Sequence, residues 1–180
     1  MHVAVIGRGN VGGGLAERWR RAGHDVTELG REGGDVSGAD AVLVAVPGGR
    51  IGEALSNVRG HEGKVVVDAT NIVGERSGGH ESLAHEIKAL TGGPVAKSFN
   101  TNFAALYDLL DAEETPPGNL YAADDEAREV VEELIRDAGY EPVYVGGLEH
   151  ARKLEDHLAL ELAIAGAGLG RFFYRLHAPR

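Results

Sequence analysis

The chain has 180 residues, of which 43% are hydrophobic, and this length suits about one domain with a buried core. The formal net charge of -10 disfavours general binding to nucleic acids or anionic membranes, because an acidic surface repels phosphate. The absence of cysteine excludes disulfides, thiolate catalysis, iron–sulfur clusters and thiolate zinc sites. We therefore expect one domain over residues 1–180, in which local positive groups hold any anionic ligand.

The N-terminal sequence runs straight into an apolar strand pattern and lacks the basic, apolar and small-residue regions of a secretory signal. The longest nearly apolar stretch, residues 158–169, is shorter than the roughly 20 residues that span a bilayer. We expect a cytoplasmic protein that starts at Met1 and has no membrane partner.

Short apolar runs alternate with helical patterns, which predicts an α/β fold of the Rossmann type: a doubly wound, mostly parallel sheet with helices on both faces. Strands are predicted at residues 3–6, 26–29, 41–46, 65–69, 95–99, 120–123 and 143–145. Helices are predicted at residues 13–22, 51–58, 82–90, 102–110 and 126–138, with a long C-terminal helix at 148–176.

The segment after the second predicted strand is unusually short. Only eight residues separate Arg31 from Asp40, whereas a crossover with its helix needs at least about 10 to 12. We therefore expect the helix after the second strand to be missing and the third strand to be reduced to about residues 35–37.

A glycine-rich turn links the first strand to the first helix, with the sequence Gly7-Arg8-Gly9-Asn10-Val11-Gly12. In dinucleotide-binding proteins the first glycine of this pattern permits the tight turn, the second lets the backbone approach the pyrophosphate, and the third lets helix and strand pack closely. Backbone N–H groups at the helix start then meet the phosphate charge. The sequence thus predicts a dinucleotide site, with a glycine-rich turn that binds nothing as the alternative.

The end of the second strand favours NADP over NAD. Gly30 stands where NAD enzymes place a carboxylate on the ribose, and Arg31 follows it. Gly30 leaves room for a 2′-phosphate, and the Arg31 guanidinium can pair with that phosphate. Arg8 is a second candidate partner. In the alternative interpretation the strand ends two residues earlier, Glu28 is the ribose carboxylate, and Arg31 is a solvated charge.

Further polar residues are predicted at the carboxyl ends of later strands, where open α/β sheets bind their ligands. We expect Pro47 to contact the adenine-ribose side or the nicotinamide ribose, and Asn71 to reach the nicotinamide region. The ordinary alternative is that the Asn and Thr residues at these strand ends cap helices and that Lys97 is a solvated charge. The candidates are Val46, Pro47, Thr70 and Asn71 on the cofactor side and Lys97, Ser98, Asn100 and Thr101 on the side of a second substrate.

With these motifs in hand, the chain resembles the NADPH-dependent coenzyme F-420 reductase family of small NADP oxidoreductases. The resemblance implies hydride transfer between NADPH and a deazaflavin, or reduction of ferric iron or flavin-like acceptors. The chain departs from the family at Gly30, where relatives usually have serine, and at Ile72, where they usually have proline. The matching pieces are residues 5–12, 22–26, 45–47, 67–71 with Asp-x-Thr-Asn, 97–101 with Lys-x-Phe-Asn-Thr, and 147–155.

The sequence identifies no catalytic acid or base, and the spacing of its eight histidines predicts no metal site. Hydride transfer needs little from the protein beyond orientation and a pocket poor in water. A non-catalytic NADP(H) sensor and a small carbonyl or imine reductase remain as alternative functions. Three glycines in the last predicted helix, Gly166, Gly168 and Gly170, indicate close backbone packing, either in a homodimer or within the chain.

Overall fold

The computed structural model describes residues 1–72 and 79–176, so the predicted domain also contains short segments outside the described residues. The strands are β1 (His2–Ile6), β2 (Asp25–Leu29), β3 (Gly34–Asp35), β4 (Ala41–Val44), β5 (Val58–Arg59), β6 (Val65–Asp68), β7 (Val95–Lys97), β8 (Gly118–Ala123) and β9 (Glu141–Tyr144). The α-helices are α1 (Asn10–Arg21), α2 (Ile51–Ser56), α3 (Leu83–Thr91), α4 (Arg128–Asp137) and α5 (Ala151–Ile164).

Seven strands form one sheet in the order β2-β1-β4-β6-β7-β8-β9. The five strands from β2 to β7 in this order are parallel to one another. The strand order reverses between β1 and β4, and in open α/β sheets ligands bind in the crevice at such a point. The predicted α/β fold of the Rossmann type, mostly parallel, is confirmed.

The last two strands run in the opposite direction. β8 is antiparallel to β7, and β9 is parallel to β8. The predicted α-helix at 102–110 is a 3-10 segment, Ala104–Ala112. Because this connection does not carry the chain back along the sheet, β8 starts at the edge where β7 ends. Our expectation of buried parallel strands at 120–123 and 143–145 is therefore wrong in direction.

Helices cover both faces of the sheet, because alternate strand residues feed two separate cores. On one face, Trp19 of α1 and Leu134 of α4 pack with Val3 and Val5. On the other face, α2, α3 and the start of α5 pack against the intervening strand residues, such as Ile6. The sheet is thus buried on both sides, as the near-continuous apolar strands require.

No helix lies between β2 and β4, which confirms the predicted missing helix in this fully described part of the chain. The third strand is reduced to β3, which pairs in parallel with β5 as a separate two-stranded sheet. The reduced crossover still closes the core, because Val36 and Ala39 are buried.

The C-terminal helix is much shorter than predicted. α5 ends at Ile164, and a π-helical turn, Ala165–Leu169, follows it. The helical path then breaks because Gly168 and Gly170 have positive φ of 113° and 73°. Residues 171–176 turn back toward the sheet, where Gly118 N donates to the Tyr174 carbonyl at 2.7 Å. None of the helices in the described ranges has both the length and the hydropathy needed to cross a membrane.

Candidate functional site

The turn after β1 is held between its two neighbouring strands. Gly7 N donates to the Leu29 carbonyl of β2 at 2.9 Å, and Gly7 has a φ of 111°. A Cβ atom on Gly7 would lie 2.4 Å from the Ala45 carbonyl oxygen, and one on Gly12 would lie 1.9 Å from the Gly7 carbonyl oxygen. The first and third glycines are therefore required by the turn itself.

The second glycine faces open space. A Cβ atom on Gly9 would meet no described atom within 4 Å, and Gly9 is exposed. Gly9 is also the N-cap of α1, and this helix start has neither a side-chain cap nor an acidic residue in its first turn. Its first backbone N–H groups, from Asn10, Val11 and Gly12, are thus available to an anion. The turn fits a pyrophosphate group.

A cleft of about 340 Å³ lies beside this turn. We call it the β1–β2 cleft, because it opens above the carboxyl ends of β1 and β2 and is closed on the far side by the segment after β4. It contains both the glycine turn and the segment that follows β2. It is lined by Ile6, Gly7, Arg8, Gly9, Gly30, Arg31, Ala45, Val46, Pro47, Arg50, Glu53, Ala54 and Asn57.

Three arginines surround the β1–β2 cleft. Arg8 pairs with Glu32, and Arg50 pairs with Glu53. Arg31 is exposed, and no carboxylate of the described residues forms an ion pair with it. Because Arg8 and Arg50 are each paired with a glutamate, Arg31 supplies the local positive charge that an anionic ligand needs in a protein with an excess of negative charge. The cleft thus brings together Arg8 and Arg31, the two residues predicted to bind the 2′-phosphate.

Glu28 has a different neighbour. β2 ends at Leu29, as the NADP interpretation requires, so the first position beyond the strand is Gly30. The Glu28 carboxylate pairs with Arg20 of α1 at 2.8 Å. This geometry favours the Gly30–Arg31 interpretation over the one in which Glu28 binds the ribose.

Two asparagines join the carboxyl ends of β6 and β7. Asn71 Nδ2 donates to the Asn100 carbonyl at 2.7 Å, and Asn100 Nδ2 lies 3.2 Å from Asn71 Oδ1. Asn100 Nδ2 also donates to the Leu154 carbonyl of α5 at 2.9 Å. The structure thus brings together two candidates that are 29 residues apart in the chain.

Polar atoms without partners cluster at the same edge. Asn100 Oδ1, Thr101 Oγ1 and Asn102 Oδ1 are buried and have no hydrogen-bond partner among the described residues. Buried polar groups are almost always paired, so three such atoms on consecutive residues are unusual. None of these three residues lines the β1–β2 cleft or the two other cavities formed by the described residues, so a ligand would have to uncover these atoms before it could bind them.

Lys97 lies beneath this edge rather than on it. Its side chain has no exposed surface, and its Nζ atom donates to Asp68 Oδ2 at 2.8 Å and to the Thr70 carbonyl at 2.6 Å. Glu155 Oε1 of α5 lies 3.3 Å from the same Nζ. The interpretation of Lys97 as a solvated charge is wrong. From this interior position Lys97 supports the turn that carries Thr70 and Asn71, and its expected place beside a second substrate stays a prediction.

Ser98 and Thr70 are interior as well. Ser98 Oγ donates to Asn119 Oδ1 at 2.8 Å, and Thr70 Oγ1 donates to Asp68 Oδ1 at 2.7 Å. Between Ser98 and Asn100, Phe99 is the single non-glycine residue of the described chain with a positive φ, 61°. Such strained backbone occurs often at functional sites.

Sequence reasoning assigned no role to Asp68, Glu155 or Asn119. Asp68 and Lys97 carry opposite charges inside two neighbouring apolar runs, and this pattern could have predicted an internal ion pair. Glu155 and Asn119 had no such signal, because their partners lie far away in the sequence.

The described residues contain one group of three side chains that could ligate a metal: His24, Glu133 and Asp137. His24 Nε2 lies 2.7 Å from Asp137 Oδ2, a distance typical of a hydrogen bond. His24 precedes β2, so the group lies at the opposite end of the strands from the β1–β2 cleft.

Comparisons with known proteins show the fold. No protein-family model matches the chain, and no curated protein matches its sequence. A crystal structure provisionally named as an F-420-dependent NADP reductase, from Arthrobacter sp. FB24, has a TM-score of 0.81 at 22% identity and 99% coverage of both chains. A hypothetical protein from Sinorhizobium meliloti has a TM-score of 0.68 at 25% identity, over 100% of this chain and 96% of the other.

A larger enzyme has the same fold over part of its length. The reductive aminase from Aspergillus terreus, in complex with NADPH and ethyl levulinate, has a TM-score of 0.68 at 16% identity. The match covers 94% of this chain and 62% of the aminase. The chain is therefore similar to less than two thirds of that enzyme.

Proposed function

We propose that the protein is an NADP(H)-dependent oxidoreductase that transfers hydride between NADPH and a deazaflavin or a similar acceptor. The observation that carries this proposal is the β1–β2 cleft, in which an uncapped helix start and the guanidinium of Arg31 face one cavity at the point where the strand order reverses. Phosphate groups bind well to helix starts and to arginine.

Different residues of the cleft would bind different groups of NADPH. The N–H groups that follow Gly9 would bind the pyrophosphate, and Arg31 with Arg8 would bind the 2′-phosphate. Val46 and Pro47, which line the cleft, would pack against the nucleoside. When bound, NADPH supplies the hydride, and the chain's own task is to orient the reacting ring and to exclude water from it.

The reacting end is proposed at Asn71, Asn100 and Thr101. The two asparagines fix each other across the carboxyl ends of β6 and β7. Asn100 Oδ1 and Thr101 Oγ1 are buried and have no hydrogen-bond partner among the described residues, and they would bind a polar acceptor that uncovers them. We expect a small-molecule acceptor rather than a nucleic acid or a membrane, because the net charge of -10 opposes both.

The similarity to NADPH-related structures supports the proposal at the level of the fold. One similar structure is provisionally named as an F-420-dependent NADP reductase, and another holds NADPH. The motif resemblance at residues 97–101 favours the deazaflavin coenzyme F-420 as the acceptor. Oxidised coenzyme F-420, flavins, ferric complexes and cyclic imines are therefore the acceptors to compare.

A screen of these acceptors tests the function, with NADPH absorbance as the readout. We expect steady NADPH oxidation with the deazaflavin or a flavin. Turnover with imines alone would instead identify an imine reductase. Tight NADPH binding without turnover on any acceptor would identify a sensor module and contradict the proposed enzyme activity.

A further inference from the structure

The carboxylate of Glu32 occupies the space that Gly30 leaves open. A Cβ atom on Gly30 would lie 2.5 Å from Glu32 Oε2 and 2.9 Å from Glu32 Oε1. The missing side chain at Gly30 is therefore replaced by a carboxylate from two residues later. This is the position, just past the end of β2, at which dinucleotide-binding proteins distinguish NAD from NADP.

The surroundings of this carboxylate form an anion site. Its own backbone N–H, the positive charge of Arg8 and the backbone N–H of Gly30 all lower the pKa of the Glu32 carboxyl. Arg8 Nη2 also forms a direct ion pair with Glu32 Oε1. Arg8 and the backbone N–H groups at this turn are thus already engaged with a negative charge from the protein, whereas no carboxylate of the described residues pairs with Arg31.

We propose that Glu32 determines the nucleotide preference, as an internal anion that occupies the 2′-phosphate position and must leave it when NADPH binds. This inference rests on the proposed binding of pyridine nucleotides in the β1–β2 cleft. In the same position, the carboxylate can accept hydrogen bonds from the ribose hydroxyls of NADH, which carry no competing charge. Glu32, and not Glu28, is then the carboxylate that keeps NADH acceptable.

The displacement of Glu32 is feasible because the pair is exposed. The side chains of Arg8 and Glu32 are 53% and 63% exposed, and exposed ion pairs contribute little to stability. Once the carboxylate turns away, Arg8 is free to join Arg31 at the phosphate. The cost of this exchange reduces the affinity for NADPH without affecting NADH.

The substitution Glu32→Gln tests this role, with NADPH and NADH titrated separately by calorimetry. We expect NADPH affinity to rise roughly two- to fivefold, which is the size of change expected for the loss of an exposed ion pair, with NADH affinity unchanged or lower. Glu17→Gln, on the outer surface of α1, is the control for the change in net charge, since Glu17 pairs with Arg21 outside the cleft.

Equal changes for both nucleotides, or a loss of NADPH affinity in Glu32→Gln, would overturn the inference. Adenosine 2′,5′-bisphosphate and 5′-AMP serve as additional probes, because they carry the adenosine half alone. Glu32→Gln could shift the preference between these two probes while none of the tested acceptors supports NADPH oxidation. That result would retain the role of Glu32 and reject the enzyme activity. If neither nucleotide binds, both proposals fail.

Discussion

The Nζ atom of Lys97 lies 2.8 Å from Oδ2 of Asp68, and neither side chain has any exposed surface. Glu155 Oε1 lies 3.3 Å from the same Nζ and also accepts the N–H of Leu83 at 2.8 Å. This buried cluster joins β6, β7, α3 and α5 beneath the edge that carries Asn71. It fixes the proposed acceptor end from the interior of the protein.

Lys97→Met should therefore destabilise the fold by about 3 to 5 kcal/mol, because it removes the cation that pairs with the buried Asp68 carboxylate. Urea denaturation measures this change. Lys88→Met is the matched control, since Lys88 forms a half-exposed pair with Asp124, and its loss should cost less than about 1 kcal/mol. An equal loss of unfolding free energy in Lys97→Met and Lys88→Met would contradict a larger contribution from the buried pair than from the exposed one.

The glycine turn predicts different effects for two alanine substitutions: Gly9→Ala should affect NADPH binding, and Gly12→Ala should affect stability. Gly9→Ala should leave the unfolding temperature unchanged, because its methyl group would point into open space. It should weaken NADPH binding at least roughly tenfold, because that space is where the pyrophosphate is expected. Calorimetry and thermal unfolding check the two properties on the same sample.

Gly12→Ala is the counterpart. Its methyl group would clash with the Gly7 carbonyl at 1.9 Å, so we expect a clear fall in unfolding temperature. If Gly9→Ala binds NADPH as the unmodified protein does, the turn is a structural element only.

Glu161 makes stability dependent on pH. Burial raises the pKa of the Glu161 carboxyl to about 8, and Tyr174 and His157 lie beside it. Because the pKa is higher in the folded state than in the unfolded chain, this group favours folding at low pH, and stability is lost as the pH rises from about 4 to about 8. Glu161→Gln should remove this loss.

Urea denaturation at about pH 5 and about pH 9 measures the effect. The unmodified protein should lose more stability over this interval than Glu161→Gln does. Glu17→Gln, at the exposed surface of α1, should behave like the unmodified protein. An identical pH dependence in all three proteins would show that Glu161 ionises as freely when folded as when unfolded.

The segment after α5 predicts a homodimer. A Cβ atom on Gly166 would meet no described atom within 4 Å, so packing against the described residues does not explain this glycine, whereas Gly168 and Gly170 are explained by their positive φ. Leu160 and Leu169 nearby are 52% and 65% exposed. We expect light scattering to give twice the mass of one chain.

Leu160→Glu should shift this mass to that of a monomer, because a charge at an apolar contact is costly. Leu109→Glu is the control, since Leu109 is also 52% exposed but lies on the 3-10 segment Ala104–Ala112. A monomeric unmodified protein, or equal effects of both substitutions, would contradict the predicted interface.

The sequence was most informative where local patterns carry the structure. The glycine turn, Gly30 and Pro47 line one cleft, because each follows a buried parallel strand and such strands end at the same edge of a sheet. The short crossover was predicted from chain length alone, since eight residues leave no room for a helix.

Features set by distant contacts could not be predicted in this way. The direction of β8 depends on whether the preceding connection spans the sheet, and the 102–110 pattern suits both a 3-10 segment and an α-helix. The burial of Lys97 depends on Glu155, 58 residues away in the numbering. The sequence shows a glycine at position 168, but it does not show the positive φ at which the helical path breaks.

Calorimetric titration of NADPH and NADH into the unmodified protein and into Arg31→Ala tests the proposed cofactor site most directly. We expect the unmodified protein to bind NADPH, and Arg31→Ala to lose roughly 10- to 100-fold in NADPH affinity, with little change for NADH, because only NADPH carries the 2′-phosphate. No heat with either nucleotide at millimolar concentration, or an equal loss for both in Arg31→Ala, would contradict it.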